Sequence, residues 1–127
     1  MRTKIINAPD APSTSGGYAQ AVEIIGASRF LIVSGQIPLT IDGVPPTRFA
    51  EQCRVAWANV EAQLRAADMS LDNLVKVTTY LSSREFAAEN RAVREAVLAG
   101  RSPALTVIVA GIFDEAWLVE IEAMAVA

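Results

Sequence analysis

The chain has no histidine among its 127 residues, and that absence shapes every chemical reading of it. Without imidazole there is no Ser-His-Asp or Cys-His route to an activated nucleophile, and a zinc site becomes very unfavourable. Proton transfer must fall to carboxylates, Tyr, Lys, Arg and backbone dipoles. The best-placed carboxylates are Glu120 and Glu122, set two apart in an apolar run from Trp117 to Val126. Read as a strand, this run puts Leu118, Glu120, Glu122 and Met124 on one face. Trp117, Val119, Ile121, Ala123 and Ala125 fall on the other, which is uniformly apolar and is expected to meet helices. The carboxylate face leaves two alternatives. It is a solvated sheet face, or a second subunit covers it and a partly buried carboxylate there moves a proton or positions water.

Other residues admit a chemical role beside a structural one. Asn90 lies on the same helical stripe as Phe86, Val93 and Val97, where an amide must be hydrogen-bonded. It either fastens a neighbouring loop or faces a ligand. Ser34-Gly35-Gln36-Ile37-Pro38 ends a strand with a glycine before a stiff proline turn. Gly35 would let backbone approach a ligand and offer N–H groups to an anion, although an ordinary strand-end turn has the same composition. Tyr18, after Gly16-Gly17, is a packing aromatic or a phenol lining a cleft. Cys53 falls on the buried stripe of a helix and reads as core.

The elements that hold these residues follow from periodicity. Residues 8–17 are rich in Pro, Ser and Gly and make an irregular approach. Tyr18 to Ile25 and Arg29 to Ser34 are strand-like, with Gly26-Ala27-Ser28 between them reading as a hairpin turn. Asp42-Gly43 marks a turn, and Pro45-Pro46 stops any strand. Phe49, Cys53, Trp57, Val60 and Leu64 then recur on one helical face, with Thr47 as N-cap and Glu61–Arg65 as an i,i+4 pair. Val75 to Leu81 is β-branched and alternating, hence a strand. Ser82-Ser83-Arg84-Glu85 resembles a capping box opening a second helix to about Ala99, closed by Gly100. Ala104 to Ala110 and Trp117 to Val126 are the last strands. With a short further strand at Lys4 to Asn7, the order is an α/β two-layer sandwich: a mixed sheet with both helices on one face.

Composition bounds the remaining possibilities. A chain of this length is expected to form a single domain, residues 1–127, with its own core. Hydrophobic residues make up 52% and charged residues 20%, which excludes a disordered chain and hints at apolar surface hidden in an oligomer. A net charge of −3 argues against nucleic acid as a partner. No stretch is apolar enough to span a membrane, and the first ten residues lack a signal-peptide core. One cysteine cannot form an internal disulfide, which points to a reducing, cytoplasmic setting.

In order and spacing, these pieces resemble the reactive intermediate deaminase family, also called Rid or YjgF, parts of which carry the name L-PSP endoribonuclease. The matching pieces are Gly17-Tyr18-Ala19-Gln20-Ala21, Ser34 to Pro38, Val75 to Leu81, Phe86 to Asn90, Ser102-Pro103-Ala104 and Val119-Glu120-Ile121-Glu122-Ala123. Together they run along nearly the whole chain. The resemblance implies a chorismate-mutase-like fold assembled as a homotrimer, with small-molecule ligand clefts between subunits. It also implies hydrolysis of 2-enamine or 2-imine acids, such as 2-aminoacrylate, to a 2-keto acid and ammonia, with no metal and no organic cofactor. Glu120 would hold or activate the attacking water, Tyr18 would line the cleft, Gly35 would offer backbone, and Asn90 would support the wall.

One position departs from that pattern. In the active deaminases an arginine that clamps the substrate carboxylate follows the Pro-Ala pair, whereas here Leu105 follows Pro103-Ala104. Val107 stands where well-known members often carry Cys. An alkyl chain cannot replace a bidentate Arg–carboxylate contact, so Leu105 and Val107 imply altered substrate choice at the binding wall. Arg101 either reaches into the cleft or is a solvated loop cation. A non-catalytic metabolite-binding trimer is the alternative function. Cleavage of RNA is disfavoured by the lack of histidine and the acidic charge.

Overall fold

The computed structural model describes residues 1–127. Six strands and two helices appear in the order β1 (Arg2–Ile6), β2 (Ala21–Ile25), β3 (Phe30–Gln36), α1 (Phe49–Ala66), β4 (Leu74–Leu81), α2 (Ala87–Leu98), β5 (Ala104–Val109) and β6 (Val119–Val126). The main sheet runs β3-β6-β4-β5, with β6 antiparallel to both neighbours and β5 parallel to β4. This is the mixed α/β two-layer arrangement expected from periodicity.

The alternation of β6 is realised as expected. Val119, Ile121, Ala123 and Ala125 are buried, and they meet Phe49, Cys53, Trp57, Val60 and Leu64 of α1 in one core cluster. Val77 and Leu81 of β4 and Val93 and Leu98 of α2 complete it. The rings of Phe49 and Phe86 stack with centroids 4.7 Å apart, which ties the starts of the two helices together. Gln52 is a second fastener. Its amide donates to Pro46 O and Ala116 O and accepts from Leu118 N, so a buried polar group is fully used in locking α1 to the entry of β6.

Several local expectations are corrected. Gly26-Ala27-Ser28 does not close a hairpin: β2 pairs with β1, and β3 pairs with β6. The N–H groups of Ser28 and Arg29 both donate to Ala127 O, which steers the chain onto β6 instead of back along β2. The strand expected from Tyr18 begins only at Ala21, because Ala19 is held in a lone bridge to Ala104. The N-cap of α1 is Arg48, not Thr47, and no side chain caps it. Glu61 and Arg65 do not form their ion pair; the only two ion pairs are Arg91–Glu95 and Arg101–Asp72. Ser83 Oγ accepts from Glu85 N but opens a 3-10 turn, with α2 proper starting at Ala87. A reciprocal capping box does occur, at Ser70 and Asn73 ahead of β4.

The face of the main sheet away from the helices is uncovered. Phe30 and Ile32 of β3 are 62% and 68% exposed, and they share that face with Met124, Glu122 and Glu120 of β6. At the other edge, β5 has a free side, along which Val107, Ile108 and Val109 are exposed. No helix of the chain is long and apolar enough to cross a membrane.

Candidate functional site

Glu120 enters at the start of β6, on the uncovered face, opposite Tyr80 of β4. Its position depends on an irregularity in β3. Val33 pairs with Ala123 and Gln36 with Ile121, so β3 carries one extra residue here and bulges at Ser34-Gly35. Gly35 thereby comes against the carboxylate. A Cβ built on it would stand 2.0 Å from Glu120 Oε2 and 2.8 Å from Cδ. Only glycine leaves that side chain in its present position, so the bulge and the placement of Glu120 form one unit.

The two carboxylates are not equivalent. The Tyr80 hydroxyl donates to Glu122 Oε1 at 2.5 Å, reaching diagonally across from β4. That bond, with burial and the nearby carboxylates adding to it, raises the Tyr80 phenol above its ordinary value. Lys76 lies on the same face; burial lowers its ammonium from the ordinary lysine value against the pull of Glu122, and Nζ donates to Thr106 Oγ1 at 2.8 Å. Glu122 thus belongs to a polar network along β4, beside a cavity of about 210 Å³ that Ile32, Val33, Thr78 and Met124 also line. Glu120 makes no side-chain hydrogen bond within the chain, and its acceptor capacity is unspent. Tyr80 and Lys76 escaped the reading of the sequence, although the alternation Lys76, Thr78, Tyr80 in the fourth strand carried the signal.

The remaining candidates gather elsewhere. Val77 pairs with Leu105 and Thr79 with Val107 across the parallel ladder, and Val77 and Thr79 face the helices fully buried. Leu105 therefore packs at the margin of the core, with Val107 further along the exposed edge strand. Asn90 is buried on α2, where its Oδ1 accepts a long bond from the Cys53 thiol at 3.8 Å. Burial pushes that thiol up to about 12, which makes Cys53 an inert core residue. Tyr18 is half-buried in the segment that crosses to β5, where Ala19 N donates to Pro103 O. Arg101 is held by Asp72 at 2.6 Å and by Leu98 O, so it does not reach toward the other candidates.

One chain therefore brings Glu120 and Gly35 together and sets Tyr18, Asn90, Leu105 and Val107 apart from them. The partners of Glu120 and Leu105 on β4, Tyr80 and Val77, are three residues apart, about 10 Å along the strand. Leu105 and Val107 also point to the sheet face opposite the one that carries Glu120. A cavity of about 400 Å³ lined by Leu31, Ser34 and Gln36 borders the bulge, whereas those of about 460 Å³ beside Ala92 and Val97 and about 250 Å³ near Leu64 and Arg101 touch neither set.

Comparison with known proteins decides the family. A family model described as Endoribonuclease L-PSP matches residues 8–127. The chain belongs to the Rid/YjgF family. It is 31% identical over 124 residues to a RutC family protein of Pyrococcus horikoshii, covering 96% of each. Among solved structures, a protein of the conserved Rid family from Yersinia pestis, YyfB, matches with a TM-score of 0.87 and 28% identity over the full length of both chains. TdcF of E. coli, solved with bound serine, matches with a TM-score of 0.72 and 28% identity, covering 98% of each chain. The Rid/YjgF fold is thus the one that the sequence motifs implied.

Proposed function

We propose that this protein hydrolyses small enamines or imines to a carbonyl compound and ammonia, acting as a homotrimer with its site between subunits. The observation that carries the reading is the contrast between the two glutamates: Tyr80 occupies Glu122, while Glu120 is unbonded and seated against Gly35. Glu120 can accept a proton from water as the oxygen bonds to the imine carbon and the nitrogen is protonated. The carbinolamine so formed then collapses, expelling ammonia and leaving the C=O. The division of candidates into two sets supports the subunit boundary. A neighbouring subunit that covered Phe30, Ile32 and the β5 edge would bury exposed apolar surface and could bring one chain's Glu120 to another's Tyr18 and Leu105.

Leu105 and Val107 make the wall of that cleft apolar, which is why we assign an altered substrate choice. The same observation favours one second reading, a trimer that binds a small metabolite without turning it over. The serine bound in the related TdcF structure fits either reading. The test uses an amino-acid oxidase to generate imines from a panel of amino acids and follows their loss directly. Wild-type acceleration that disappears in Glu120→Gln but survives in Glu122→Gln is expected. Equal loss in both variants refutes this division of roles between the glutamates, and no acceleration of any imine leaves the binding reading.

A further inference from the structure

Arg94 has the most unusual environment of any charged group in the chain. It lies on α2 one turn beyond Asn90, so the two side chains leave the same side of the helix. They are only 5% and 2% exposed. The neighbouring cations are engaged: Arg91 by Glu95 and Ser15 O, Arg101 by Asp72 and Leu98 O. Arg94 makes no hydrogen bond and no ion pair, and its Nε is shut off from water with no acceptor. A guanidinium cannot shed its charge, and burying one without a partner is strongly unfavourable. Asn90 spends only its oxygen, on Cys53, and its amide nitrogen forms no bond.

The surroundings connect these unspent donors to the binding wall. Burial works most strongly against the charge of Arg94; Glu95 supports that charge, Arg91 opposes it, and the Tyr18 phenol and Cys53 thiol are also neighbours. The residue after Tyr18, Ala19, bridges to Ala104, immediately before Leu105. The missing acceptor can therefore come from outside the chain, beside the place where an arginine is absent.

We propose that Arg94 is the anion-binding residue of this protein, holding from α2 the carboxylate of a small 2-oxo or 2-imino acid that position 105 cannot hold. The inference rests on the cleft described under the proposed function. A planar guanidinium suits two-point contact with a carboxylate, and the Asn90 amide supplies a further donor nearby. Moving the charge from β5 to α2 also relocates the carboxylate relative to Glu120, which gives the altered substrate choice a physical cause.

The test is calorimetric binding of pyruvate, 4-methyl-2-oxopentanoate and phenylpyruvate, each beside its neutral amide, to the intact assembly. At least one acid should bind, with its amide weaker by about thirtyfold or more. Arg94→Gln should lose a comparable factor, Arg94→Lys should keep part of it, and Arg91→Gln should bind as the wild type does. Failure of every acid to bind, an amide binding as tightly as its acid, or undiminished binding by Arg94→Gln overturns the inference. Dissociation of the Arg94→Gln assembly, combined with no acid preference in the wild type, assigns Arg94 to an ion pair between subunits and overturns it too. The acid–amide comparison needs only the unsubstituted chain, so it stands even where a variant fails to fold. Binding is read without turnover: acid binding through Arg94 with no imine hydrolysis would uphold this inference while removing the hydrolase reading.

Discussion

Alanine at position 35 places a methyl carbon 2.0 Å from Glu120 Oε2 and 3.1 Å from its Cγ. An ordinary contact is about 3.5 Å, so the carboxylate must move by about 1.5 Å. The atom that moves is the end of a flexible, half-exposed side chain, and Gly35 does not have the positive φ that would strain an alanine backbone. Folding is therefore almost indifferent, and the lost flexibility of the unfolded chain adds stability of about 0.4–1 kcal/mol. Catalysis is not indifferent, because displacing a reacting group by about 1 Å can cost roughly a hundredfold. Gly35→Ala should keep or slightly raise its Tm while kcat/KM for the best imine of the panel falls by about two orders of magnitude. Thermal unfolding and imine loss measured on the same preparation decide the matter. Full activity in Gly35→Ala, or a Tm that falls together with activity, would refute the coupling between the bulge and Glu120.

Other outcomes follow from the same geometry. Light scattering at micromolar concentration should give about three times the 13.6 kDa chain mass; a stable monomer would remove the subunit boundary from the site. Leu105→Arg should raise turnover of 2-aminoacrylate, but by less than the roughly 30- to several thousand-fold attached to a buried charge pair, because the new guanidinium lacks supporting partners. Equal turnover by the wild type and Leu105→Arg would show that Leu105 is no handicap. Cys53, raised from 9.0 to about 12, ionises in the unfolded chain before it does in the native one. Stability against urea should thus hold below about pH 9 and then decline by up to about 1.4 kcal/mol per pH unit as the pH rises toward 12. Cys53→Ala should flatten that decline, and native Cys53 should resist alkylation at pH 8.

Much of this architecture was legible in local pattern. The period-two alternation of β6 and the stripe Phe49, Cys53, Trp57, Val60, Leu64 report which face of each element is buried, and the core is built on those faces. The motif spacing also singled out Glu120, Gly35, Asn90 and Leu105. Tertiary structure decided what depends on partners distant in the chain. Strand pairing is one such matter: Ala127 O captures the N–H groups of Ser28 and Arg29, so two strands adjacent in sequence join different sheets. The difference between Glu120 and Glu122 is another, because it comes from Tyr80, 42 residues away from Glu122, and from a bulge that leaves no trace in composition. Arg94 shares a helical stripe with Asn90, yet its charge suggests solvent until packing shows it enclosed. Periodicity says which side of an element is buried; which groups meet there, and which are left unpaired, is settled only when the elements pack.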